Sequence, residues 1–214
     1  MAESAKMGRD QRLILGIDPG FGRMGYAVVA AAGDNLRLIV CDAIMTPKGL
    51  AYPQRLQQIY EQLGAIIKRY HPQEAAIEEL FFGKNVTTAI PVAQARGVAL
   101  LALAQSDLLI AEYTPNEVKL AVTGYGAARK EQVGAMVRLL LHLPSIPRPD
   151  DAADAAAIAI CHAHTLLVFT TSVVKYYESL SCTSKKPTGG SNSCGLRAVS
   201  NLAHLTKSPP AGSG

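Results

Sequence analysis

The run RLILGIDPG, Arg12 to Gly20, decides the fold. Its apolar residues are continuous up to an acid, and Pro19-Gly20 then forces a turn, so the segment reads as a buried strand that ends at Asp18. A carboxylate is thereby delivered to the rim of the core. Strand character resumes at once. GYAVVAA (Gly25 to Ala31) and LRLIVCDAI (Leu36 to Ile44) flank the turn residues Gly33, Asp34 and Asn35, which predicts an antiparallel meander of the first three strands.

The period then changes. Leu56, Ile59, Leu63, Ile66 and Ile67 recur at helical spacing between Pro53 and His71-Pro72, an amphipathic helix with a proline boundary at each end. EAAIEEL (Glu74 to Leu80) reads as the fourth strand, and an alanine-rich stretch from about Asn85 to Gln105 as a helix that Pro91 either kinks or delays. LLIAEY (Leu108 to Tyr113) supplies the fifth strand. Thr114, Pro115, Asn116 and Glu117 spell a capping box with proline at the first helical position, and Gly124 stops that helix. A further helix covers about Ala128 to Leu141, and the last opens at Asp150 after the link PSIPRP. This order predicts an α/β fold, a mixed five-stranded sheet flanked by helices.

A chain of 214 residues with 49% hydrophobic and 18% charged residues fits one well-packed domain plus a tail. We place the domain at 12–167, a flexible amino terminus at 1–11 and a disordered tail, rich in Ser, Thr, Gly and Pro, at 168–214. No apolar run approaches the roughly 18 residues that span a bilayer. The first residues lack the apolar core of a secretory signal, and the four cysteines are widely spaced, so a cytoplasmic location is expected. The net charge of +4 arises in the tail, because bases and acids balance through His164. If four of the core acids bind metal ions, the remaining surface is basic and suits a phosphate backbone.

Gly20, Gly22 and Gly25 complete a G-x-G-x-x-G directly after a strand, with Asp42 downstream as in a dinucleotide fingerprint. That fingerprint requires a helix to begin among the glycines, and here the chain continues as a strand. A phosphate-binding hairpin of the sugar-kinase type would need a duplicated second domain, for which the chain has no room.

The acids carry more weight. Asp18 ends the first strand, although an acid starting a Pro-Gly turn would look the same. Glu78 and Glu79 point to opposite faces of the fourth strand, so one of them faces inward or toward a cleft. Asp151 and Asp154, three residues apart, share a face in the first turn of the last helix. The helix dipole alone would favour acids there. Collected in one place, however, four carboxylates repel one another unless a cation belongs among them. An all-oxygen ligand set selects Mg²⁺, with Mn²⁺ as a substitute, and two such ions about 3.5–4 Å apart can activate water and stabilise the leaving oxygen of a phosphodiester. Cys161, His162 and His164 look like a metal cluster at first sight, a reading we set aside. His162 shares the face of Asp151, but a helical rise of about 1.5 Å per residue sets it roughly 16 Å away, too far to join that site.

Taken together, LGIDPG with Asp18, AIEELFFGKN with Glu78, QARGVA (Gln94 to Ala99) and DDAADAAAIAI with Asp151 and Asp154 resemble the RuvC family of crossover junction endodeoxyribonucleases. The likeness spans about Arg12 to His164. It implies an RNase H-like fold and catalytic, metal-binding carboxylates at Asp18, Glu78, Asp151 and Asp154, with two Mg²⁺ per subunit. Asp150 and Glu79 are neighbours, not members. Lys119 and Lys130 match family lysines near the scissile phosphate, where positive charge stabilises developing negative charge. Phe81, or Phe82 beside it, matches an aromatic set against bases at the crossover. Lys84 and Arg96 complete the expected DNA contacts, together with Lys119 and Lys130.

The resemblance further implies a homodimer that resolves Holliday junctions in recombination and repair. It would nick paired strands of like polarity, leave 5′-phosphate ends, and work with the branch-migration proteins RuvA and RuvB. Another RNase H-like nuclease acting on hybrids or branched DNA is the nearest alternative; a junction binder without catalysis is the other.

Overall fold

Ile14, Leu15, Gly16 and Ile17 have no polar side chain to solvate, and the strand they build is buried on both faces at the centre of the sheet. The structure, a computed structural model, describes residues 11–80 and 86–165. The chain divides into two units, Met1–Val174 and Lys175–Gly214, of which the second lies wholly outside the described residues. The expectations of a flexible amino terminus, Gln11 apart, and of a disordered tail concern residues outside that description.

The sheet has the order β3-β2-β1-β4-β5. β1 (Arg12–Asp18), β2 (Arg23–Ala32) and β3 (Asn35–Met45) form the antiparallel meander, while β4 (Glu74–Glu78) and β5 (Leu109–Tyr113) run parallel to β1. β2 and β3 each extend beyond the expected spans, since Arg23 pairs with Met45 and Ala32 with Asn35. Helix α1 (Tyr52–Tyr70) ends at His71, whose φ of +50° reverses the chain before Pro72. α2 (Val86–Ala104) contains Pro91, so the helix does not start late. α3 (Pro115–Thr123) has the expected capping box: the Glu117 amide donates to Thr114 Oγ1 at 3.2 Å and the Thr114 amide to Glu117 Oε2 at 2.8 Å. Gly124 closes it with φ +73°. α4 (Lys130–Leu140) starts two residues later than expected because the Arg129 amide donates to Gln132 Oε1, 2.8 Å, making Arg129 the cap. The last helix, α5, covers residues 150–165.

Alternation along β1 sorts the core into two layers. Leu15 and Ile17 pack with Ile59, Leu63 and Ile67 of α1 and with Ala95, Ala99 and Leu103 of α2. Ile14 and Ala76 pack with Val118 and Val122 of α3, Val133 and Val137 of α4, and the alanines of α5. α5 lies flush on this second face. A β-carbon on Gly16 would meet the Ala155 carbonyl oxygen at 2.1 Å, so strand and helix touch through their main chains.

Candidate active site

The parity that turns Ile14 and Gly16 toward α5 turns Asp18 the same way, and the parity of Glu74 and Ala76 does so for Glu78. β1 and β4 pair in parallel with Ile17 opposite Ile77, so Asp18 and Glu78 come next, side by side at the carboxyl ends of the two central strands. Such ends are where α/β sheets place their ligands. Facing them is the first turn of α5. Asp18, Glu78 and Asp154 line one cleft with Lys119, Lys130, Pro115, Val118, Val133 and Ala157. Asp151 stands one turn earlier on α5, its carboxylate paired with Arg23 at 2.9 Å. Lys130 Nζ pairs with Asp154 at 2.7 Å.

The charge balance of the cleft is unfavourable to its acids. Burial, and then the negative charges of Asp154, Glu78 and Asp151, push the Asp18 carboxyl up to about 8, against only the Lys130 ammonium. Burial and Asp154 raise Glu78 as well, with Lys119 opposing them. Among the described residues no three acids, histidines or cysteines stand close enough to ligate one ion as they are placed. Arg23 and Lys130 instead neutralise the two aspartates of α5.

The glycines of the false dinucleotide fingerprint serve this geometry. Gly20 permits the tight turn after Asp18, because a β-carbon there would stand 1.8 Å from the Arg23 carbonyl oxygen. Gly25 gives room to the backbone of Asp151.

The family model described as "Crossover junction endodeoxyribonuclease RuvC" matches residues 14–162. The chain belongs to this RuvC family. The crossover junction endodeoxyribonuclease RuvC of Chloroflexus aggregans is 60% identical over 151 residues, which cover 71% of this chain and 92% of that one. The protein of the same name from Rubrobacter xylanophilus is 55% identical over 153 residues, covering 72% and 86%. Among solved structures, T. thermophilus RuvC in complex with Holliday junction substrate superposes with a TM-score of 0.71 at 34% identity, covering 74% of this chain and 97% of that one. The yeast mitochondrial Holliday junction resolvase shares the fold, with a TM-score of 0.58 at 14% identity over 78% of this chain and 86% of that one. The fold is RNase H-like, as the resemblance implied.

Other RuvC-family expectations meet a mixed outcome. Phe81, Phe82 and Lys84 lie outside the described residues. Arg96 is turned inward: its Nε donates to the Glu78 carbonyl at 2.9 Å, its Nη2 pairs with Glu112, and its side chain is only 16% exposed. Its partners are the backbone of the site and a neighbouring strand. Asp150 pairs with Arg148, 2.6 Å, and does not line the cleft. His162 is buried in a polar network. Tyr113 Oη lies 2.8 Å from its Nδ1, and Glu74 Oε2, which also pairs with Arg12, lies 3.0 Å from its Nε2. Burial alone would raise Glu74, but the His162 and Arg12 hydrogen bonds and the Arg12 charge outweigh it and hold the carboxyl below its usual range. Burial pushes the Cys161 thiol up to about 11. Sequence reasoning missed Arg23 and the Glu74–His162 pair.

Proposed function

We propose that this protein is a metal-dependent endonuclease that resolves four-way DNA junctions, with Asp18, Glu78, Asp151 and Asp154 as its metal ligands. The observation that carries this reading is the convergence of Asp18 and Glu78, at the ends of neighbouring parallel strands, on the first turn of the helix that bears the two aspartates. Hard carboxylate oxygens without thiolate or imidazole fit Mg²⁺ or Mn²⁺, and an Asp18 carboxyl raised to about 8 marks acids short of positive charge. Relatives named crossover junction endodeoxyribonucleases, and one solved with a Holliday junction, support the substrate.

A pair of Mg²⁺ ions bound there would supply an activated water and charge stabilisation at the leaving oxygen. The residues themselves do the rest. Strand backbone fixes where Asp18 and Glu78 stand and the packed helix α5 fixes Asp154, so ion binding has only side chains to draw together. Lys119 and Lys130 line the cleft and stabilise the negative charge that grows on the phosphate. Paired nicking of like-polarity strands, leaving 5′-phosphate ends, requires two such sites. A homodimer is supported by α2, which buries Ala95, Ala99 and Leu103 yet leaves Ile90 and Leu101 more than half exposed on its other face. RuvA and RuvB are the partners we expect for branch migration.

The test is incubation with Mg²⁺ and a labelled mobile junction beside linear duplex and RNA–DNA hybrid. Asp18→Asn, Glu78→Gln, Asp151→Asn and Asp154→Asn each abolish cleavage and keep junction binding. Rates within about tenfold of wild type for two of the four would reject the ligand set, and robust cutting in EDTA would end the metal reading.

A further inference from the structure

Arg23 does not line the cleft, although it pairs with one of the site's four acids. It opens β2, opposite Met45, at the end of the turn that follows Asp18. That turn is braced. The Thr46 amide donates to the Gly22 carbonyl at 3.1 Å, Arg55 Nε donates to Thr46 Oγ1 at 3.0 Å, and the Arg55 guanidinium lies 3.9 Å from the centre of the Phe21 ring. The Arg23 backbone is thus fixed while its side chain is not, being 47% exposed and held to Asp151 through Nη1 at 2.9 Å.

An exposed ion pair of this kind is weak, worth about 0–1 kcal/mol in general. A divalent ion carries twice the charge, so it outcompetes a guanidinium for the same carboxylate. A displaced arginine then offers a planar fork of donors that matches a phosphate bidentately. Lys130, the partner of Asp154, remains beside the reacting phosphate because it lines the cleft itself. Arg23 does not line it, so a phosphate within its reach is a neighbour of the one being cut.

We infer that Arg23 is an exchangeable counter-ion: it neutralises Asp151 in the metal-free protein and, once a divalent cation takes that carboxylate, turns to a DNA backbone phosphate flanking the scissile one. This rests on the reading of the four acids as metal ligands. Metal uptake and strand binding are thereby linked through one side chain. The cation that loads the site also releases the group that grips the strand.

Two measurements that do not involve cleavage test it. Mn²⁺ binding to metal-free wild type, Arg23→Gln and Arg23→Lys is followed by electron paramagnetic resonance without DNA. Junction affinity is followed in Ca²⁺ as a function of salt. Arg23→Gln should bind Mn²⁺ roughly three- to tenfold more tightly, since a competing cation is gone. The same variant should bind the junction more weakly, with a slope of log affinity against log salt smaller by about one. Arg23→Lys, which keeps the charge, should retain the wild-type slope. A merely structural residue would weaken both metal and DNA binding. Unchanged or weaker Mn²⁺ binding by Arg23→Gln, or an unchanged salt slope, would overturn the inference while leaving the metal site standing. Equal Mn²⁺ uptake by wild type and Asp151→Asn would instead remove Asp151 from the ligand set, and this inference with it.

Discussion

A β-carbon on Gly25 would stand 2.0 Å from the carbonyl oxygen of Asp151, so β2 and the first turn of α5 meet with no side chain between them. The position of one site acid is therefore set by a residue that has no side chain at all.

Gly25→Ala should push the first turn of α5 off the sheet. We expect a loss of about 1–3 kcal/mol in urea unfolding, as for other overpacked contacts, and a fall in junction cleavage beyond what the unfolded fraction explains. Gly64→Ala is the control. Nothing lies within 4 Å of a β-carbon there, and in a helix the change should stabilise by about 0.5–1 kcal/mol. Full cleavage by folded Gly25→Ala would show that the close approach does not position Asp151.

The raised Asp18 carboxyl sets a pH dependence. Between about 4 and 8 the folded metal-free protein holds this proton and the unfolded chain does not, so the group's contribution to stability declines as pH rises through that window. Saturating Mg²⁺ should remove the decline by favouring the ionised form. Melting temperatures from pH 5 to 8, with and without Mg²⁺, check this, and Asp18→Asn should flatten the metal-free curve. A metal-free wild type that gained stability across this range through Asp18 would contradict the assignment.

Arg96 separates two roles. If it holds the end of β4 through the Glu78 carbonyl, Arg96→Lys should lower the cleavage rate roughly tenfold or more with junction affinity little changed. A DNA contact would instead weaken binding and reduce its salt dependence.

How much of this was legible in the sequence follows from the range of each interaction. The ends of β1 and the capping box of α3 were readable because Pro19-Gly20 and Thr114–Glu117 act within a few residues of themselves. The choice between Glu78 and Glu79 needed the neighbouring strand, and the sheet settles which of them lines the cleft. Arg96 looked like a free base because nothing local indicates that α2 passes over the end of β4. Arg23 and Asp151 are 128 residues apart, and Glu74 and His162 are 88 apart. No periodicity encodes such pairs. Each exists only because α5 lies across the meander and β4.

The buried Tyr113–His162–Glu74 network should matter to stability and not to chemistry. Tyr113→Phe leaves His162 Nδ1 without its partner, at a cost of about 1–3 kcal/mol. Cleavage per folded molecule should stay within about twofold of wild type. A tenfold loss of activity at unchanged stability would mean that this network reports to the cleft.

Leu101→Glu places a charge on the exposed face of α2 without touching the core. If that face joins two subunits, sedimentation should give a monomer, and junctions should be nicked without release of paired duplex products. An active dimer with this substitution would move the interface elsewhere.

On α5, Ala152, Ala153, Ala155, Ala156, Ala157, Ala159 and Ala163 are all buried. Long side chains can choose among rotamers, whereas a methyl group has a single fixed thickness, and at Gly16 and Gly25 even that is absent. The separation between the strand-borne and helix-borne acids is consequently a gauge cut into the main chain. It is set by contact between two backbones, and no rearrangement of side chains in the layer between them can widen it.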